Sequence, residues 1–151
     1  MKLKIEISPE AQEEVVIRCK EQDEKILRLQ QVIENLINTD AEMILHIKDT
    51  EYFVPYKKIL FFEIQNGKVT AHTKERMLTT EHTLAKLEEI LPSYFIRGSK
   101  SCIINSSLVS AIAHNIYGPS KVYFKGSEKI VYVSRAYYKF LKEKICSLRG
   151  I

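Results

Sequence analysis

No apolar run in this chain approaches the roughly 20 residues that a membrane-spanning helix needs; among the longest is Ile59-Leu60-Phe61-Phe62. A spanning helix is therefore not expected. Met1-Lys2-Leu3-Lys4-Ile5-Glu6 contains neither an apolar segment nor a small-residue cleavage site, so no secretory leader is expected and the chain reads as cytoplasmic. Cys19, Cys102 and Cys146 form no CxxC pair, and an odd count makes a poor disulfide framework, so reduced thiols are expected. His46, His72, His82 and His114 are scattered, with no HExxH and no Cys/His spacing that could converge on zinc. Neither a metal site nor another cofactor is expected. There is no GxSxG elbow. Gly98-Ser99-Lys100-Ser101 lacks the Gly-Lys pair and the earlier glycine with which a phosphate loop wraps its ligand. An enzyme is not expected, nor a small-molecule substrate.

What is present is ordinary globular material: 151 residues, 45% hydrophobic and 28% charged. That suffices for one domain with a proper core plus a short attachment. The net charge of +4 is unevenly spread. Residues 1–40 carry 6 Lys+Arg against 9 Asp+Glu, giving −3, and residues 41–151 carry 17 against 10, giving +7. A basic surplus confined to one part suits a polyanionic partner, because each cation placed on a phosphate releases condensed counterions; a merely solvated basic surface would look the same.

Lys2 to Ile7 alternates polar and apolar as a half-buried strand does and ends at Ser8-Pro9. An acidic loop from Pro9 to Val16 then leads into a short strand at Val15 to Cys19. Ile26, Leu29, Ile33 and Leu36 form the stripe of an amphipathic helix, which Asn38-Thr39-Asp40 can terminate. The stripe is also a heptad seam about two repeats long, too short for an independent coiled coil. Packing on the main domain is slightly preferred over packing on a second copy. Beyond Asp40 short β-branched and aromatic runs alternate with turn residues. They predict strands near 43–48, 51–55, 58–65, 68–73, 76–79, 94–97, 101–104, 107–113, 121–125 and 129–133. Asn66-Gly67 signals a tight hairpin, since both residues tolerate positive φ. Gly118-Pro119 and Gly126-Ser127 mark two further turns. Thr80 is expected to cap a helix running to Leu91 with Leu84 and Leu87 inside, and Ser134 a terminal one with Tyr137, Leu141, Ile145 and Leu148 on one face. Phe61, Phe62, Phe95, Ile103 and Ile104 read as core, with Cys102 beside them.

Two clusters could carry chemistry. Lys100 sits between Ser99 and Ser101 at a turn, where it can reach guanine O6 and N7 or a phosphate while the hydroxyls add contacts. Local physics alone favours a solvated turn lysine. Arg135 follows Val133-Ser134 into the first helical turn, where a cation opposes the helix dipole and its planar fork could grip guanine or phosphate.

Three segments in order, Ile59-Leu60-Phe61-Phe62-Glu63, then Leu87 through Asn105 with its Leu-Pro-x-x-Phe-x-Arg…Ser…Asn frame, then Val133-Ser134-Arg135, resemble the LytTR DNA-binding domain of bacterial regulators over residues 41 to 148. The resemblance implies a mainly β fold, an elongated β-sandwich of small antiparallel sheets with few short helices, here with an N-terminal strand and helix extension over 1–40 and the domain over 41–151. It also implies that loops enter successive major grooves and bend the DNA. Ser99-Lys100-Ser101 stands where family members carry His-Arg-Ser, and Arg135 falls where they use an arginine on DNA. The hairpin after the Phe-Phe-Glu strand supplies Asn66, suited to adenine N6 and N7, and Lys68, suited to phosphate. The first 40 residues are too few for a phosphoacceptor receiver, so the resemblance further implies a stand-alone regulator of promoter DNA, acting as two copies on repeated sites. Control would come from a partner, often a membrane protein, with the N-terminal segment a place for that partner or for a second subunit. The alternative is a protein-interaction module that keeps the fold without reading DNA.

Overall fold

The computed structural model describes residues 1–10, 14–37 and 41–151. Its elements in chain order are α1 (Glu24–Ile37), β1 (Glu42–Ile47), β2 (Thr50–Pro55), β3 (Phe61–Gln65), β4 (Lys68–His72), β5 (Met77–Thr80) and α2 (Leu84–Ile90). There follow β6 (Phe95–Ser99), β7 (Cys102–Asn105), β8 (Val109–Ala113), β9 (Ser120–Phe124), β10 (Ile130–Val133) and α3 (Arg135–Arg149). The mainly β class is the one expected. Seven strands form one antiparallel sheet in the order β2-β1-β5-β4-β3-β7-β6, and β10-β9-β8 form a second.

Consecutive side chains of a strand point to opposite faces, and that period of two builds the layers. Phe62 and Ile103 face one side, packing with Met43, Leu45 and Leu78 under Leu84 and Leu87 of α2. Their neighbours Phe61 and Ile104 face the other, against Val122, Phe124, Val131 and Val133 of the small sheet and Leu141 and Ile145 of α3. The large sheet is thus the middle of a sandwich, and each fully buried Phe or Ile contributes about 1.5–3 kcal/mol. Cys102 lies in the second core, where burial pushes its thiol up from the ordinary value despite the opposing Ser99 hydroxyl, so it behaves as a core thiol.

Several expectations are corrected. Residues 2–7 form no strand; they are exposed and have no neighbour to pair with, and alternation without a partner edge does not make a sheet. Residues 15–19 are likewise unpaired. The terminator Asn38-Thr39-Asp40 and part of the Pro9 to Val16 loop lie outside the described residues. The third strand starts at Phe61, three residues later than expected, because Tyr56–Lys58 form a 3-10 turn closed by Ile59 N–H donating to Tyr56 O. Thr80 is spent in the sheet opposite Val69, and the cap of α2 is Thr83, whose hydroxyl accepts from Lys86 N–H at 3.1 Å. Ser134 holds the cap position of α3 without a side-chain capping bond.

α1 rests on the end of α3, with the Ser147 hydroxyl donating to Gln31 Oε1 at 2.9 Å. Ile26, Leu29 and Ile33 are half-buried, whereas Leu36 is 70% exposed and falls outside the contact. Among the described residues no helix is long and apolar enough to cross a membrane.

Candidate nucleic-acid interface

The three loops singled out from the sequence are joined by main-chain bonds. Asn66 (φ 51) and Gly67 (φ 75) make the tight turn between β3 and β4, with Gln65 opposite Lys68, as the two positive φ angles of a I′ hairpin require. One step inside that hairpin, Ile64 N–H donates to Ser101 O at 2.9 Å, which seats it beside the β6–β7 turn. On the other flank Ser134 N–H donates to Gly98 O at 2.8 Å, fixing the start of α3 to β6. Cys102 Sγ lies 3.7 Å from Tyr132 O and adds a weaker tie to β10.

Within the β6–β7 turn the serines are partly occupied. Ser101 N–H donates to Ser99 Oγ at 3.1 Å and the two hydroxyls lie 3.3 Å apart, a local side-chain turn that leaves Ser99 half-buried and Ser101 exposed. Arg97 donates to Lys100 O at 3.2 Å and has its other terminal nitrogen 3.7 Å from Glu88 Oε1, so it braces the turn from behind. A register shift between Arg97 and Ser99 marks a bulge at Gly98, a device that re-aims the residues after it.

Asn66, Lys68, Lys100 and Arg135 are all exposed. Among the described residues none of the three cations has a carboxylate partner, so their charge is available to a ligand. Arg135 also borders a shallow pocket of about 180 Å³ with His114, Asn115, Ile116, Ser120 and Tyr138. His114 stacks on Tyr138 with ring centroids 3.9 Å apart and planes 3° from parallel. The sequence reading missed this pair. The only signal for it was a His-Asn at a strand end, and its meeting with α3 is a long-range event.

At the end of β4 away from the hairpin, His72 is 5% exposed and stacks on Phe61 at 4.3 Å, with Nε2 2.9 Å from Glu63 Oε1 but not aligned to complete a hydrogen bond. Burial holds the imidazole below its ordinary range, Glu63 opposes this and Lys129 reinforces it. The unfolded imidazole therefore takes up a proton more readily than the folded one. The stability this neutral histidine contributes is full above its unfolded pKa, and is lost as pH falls through the lower folded value. Urea unfolding at about pH 7.5 and about pH 5.5 should show a smaller acid loss in His72→Gln than in the parent; an equal loss would remove His72 as a source.

The family model for the LytTr DNA-binding domain matches residues 49–146. An uncharacterized HTH-type transcriptional regulator from a bovine strain of Staphylococcus aureus is 32% identical over 102 residues, covering 68% of this chain and 63% of the relative. The chain thus spans less than two thirds of that relative's length. A counterpart from another Staphylococcus aureus strain is 28% identical over 111 residues, covering 74% of this chain and 75% of its own length. Among solved structures, the LytTr DNA-binding domain of a Bacillus cereus protein described as a methyl-accepting/DNA response regulator aligns with a TM-score of 0.63 at 23% identity, over 70% of this chain and 97% of that one. Among the described residues no two consecutive helices are joined by a turn, since strands follow both α1 and α2.

Proposed function

The chain belongs to the LytTR DNA-binding domain family, and on that premise we propose that it is a sequence-specific transcription regulator that reads promoter DNA through three bonded loops. The observation that carries the reading is the joining of the hairpin, the β6–β7 turn and the start of α3 around unpaired, exposed cations. In this reading residues 41–151 are the DNA-binding domain and 1–40 an extension. The loops enter the major groove. Arg135 grips guanine or phosphate with its fork, Lys100 reaches a guanine edge or a phosphate, Asn66 pairs with adenine and Lys68 neutralises phosphate. Ser101 adds a hydroxyl contact, and Ser99 shapes the turn more than it touches DNA. Two copies occupy repeated sites. The extension receives the controlling partner, a membrane protein, and the exposed Leu27 and Val32 of α1 suit such docking. An unchanged promoter response to serine at both positions would remove that part.

The test is titration of a fragment from the protein's own promoter region at several salt concentrations. Affinity should fall with salt in a linear log–log plot, and Lys100→Ala should either lower the slope by about one or relax base preference. Arg135→Ala should weaken binding by about 1–3 kcal/mol. Absence of preference over random competitor DNA would overturn the reading. Saturation at one protomer on a two-repeat fragment would remove the two-copy arrangement.

A further inference from the structure

A second basic site lies at the other end of the large sheet. β3 and β4 share the Asn66-Gly67 tip at one end, so the β4–β5 turn, Thr73 to Arg76, is at the opposite end. Beside that turn is a cavity of about 480 Å³, within the roughly 300–1,000 Å³ typical of small-molecule sites. Its rim carries Lys57, Lys58, Lys74 and Arg76 against one carboxylate, Glu75, and its wall includes Tyr52 and Phe53. Among the described residues none of these four cations is in an ion pair. Phe53 is 65% exposed, a large apolar ring left facing solvent on the edge strand β2.

The turn that presents the cations is held from within. Thr73 N–H donates to Arg76 O at 3.0 Å, Arg76 N–H donates to the Thr73 hydroxyl at 3.1 Å, and Lys129 Nζ donates to Arg76 O at 2.9 Å. The Arg76 guanidinium lies 4.8 Å over the Tyr52 ring, which orients it while leaving its hydrogen-bond donors free for an anion. A concave site with clustered unpaired cations and an exposed aromatic wall suits a ligand that is anionic at one end and planar at the other.

We propose that this cavity binds a small organic polyanion bearing a planar ring, a ligand of the nucleotide class. The phosphates lie among Lys57, Lys58, Lys74 and Arg76, and the ring lies against Phe53.

Calorimetric titration of the full chain with ADP tests this, with inorganic pyrophosphate as the charge-only control and adenosine as the ring-only control. ADP should bind more tightly than either. Arg76→Gln and Lys58→Gln, both at exposed positions, should each weaken it about tenfold, the loss of one charge-assisted contact. Phe53→Ala should weaken ADP and leave pyrophosphate unaffected. Lys100→Ala and Arg135→Ala should leave ADP binding intact, which keeps the outcome separate from that of the promoter titration. No heat with ADP, or equal affinity for pyrophosphate, would overturn the proposal. Displacement of ADP by promoter DNA from the unaltered protein would also overturn it, since the basic rim would then belong to the DNA surface.

Discussion

Asn105→Ala is expected to lower folding stability by about 3–4 kcal/mol, a large share of what a domain of this size holds. Asn105 is fully buried at the end of β7. Its Nδ2 donates to Ile59 O at 2.8 Å, and its Oδ1 accepts from Ser107 N–H at 3.1 Å and from the Ser107 hydroxyl at 2.6 Å. The first bond ties β7 to the chain entering β3; the other two start the 3-10 turn, Ser106–Leu108, that carries the chain to the small sheet. Removing the amide leaves the Ile59 carbonyl buried without a partner and deprives the half-buried Ser107 amide of its acceptor, each costing about 1–3 kcal/mol. Ser107→Ala, which loses one of the three bonds, should lose only about 1 kcal/mol. Asn105→Asp should be no better than Ala, because a carboxylate turned toward the Ile59 carbonyl cannot donate to it. Urea unfolding of the three variants decides the matter, and a loss in Asn105→Ala no larger than in Ser107→Ala would sink the explanation.

Strand positions are legible in a single sequence, whereas strand partners are not. Ten strands were placed in order because half-buried strands advertise themselves by alternation and by turn residues such as Asn66-Gly67, both of which are local. The two failed strands, at 2–7 and 15–19, had the local pattern but no partner edge, and pairing is not written in a single segment. Phe61, Phe62, Ile103 and Ile104 were legible as core, but not that their alternation would divide them between two cores. In the candidate interface, Asn66, Lys100 and Arg135 came from the family pattern, since locally each is an ordinary surface residue. Their joining through Ile64–Ser101 and Ser134–Gly98 bonds depends on register between distant strands. The basic rim at Lys57, Lys58, Lys74 and Arg76 was invisible for the same reason, being two short segments brought together only by the fold.

Gly98→Ala should lower stability by about 1–3 kcal/mol and weaken DNA binding even in protein that remains folded. A Cβ on Gly98 would meet Ile104 Cδ1 at 2.5 Å and Cys102 Sγ at 2.9 Å, both side chains being buried, so neither can swing away freely. The strand must move instead. Gly98 lies in the β6 bulge and its carbonyl holds Ser134, so its displacement shifts the Lys100 turn and the Arg135 helix start together. Ile104→Val removes the Cδ1 methyl that the new Cβ would strike, and alone should lose about 0.5–1.5 kcal/mol. In the double variant the two losses should add to less than their sum, with a coupling of about 0.5–3 kcal/mol and partial recovery of DNA affinity. Simple additivity in a urea double-mutant cycle would show that the contact with Ile104 is not the cause. Full stability recovery without recovery of DNA binding would instead separate the packing role of Gly98 from its hold on Ser134.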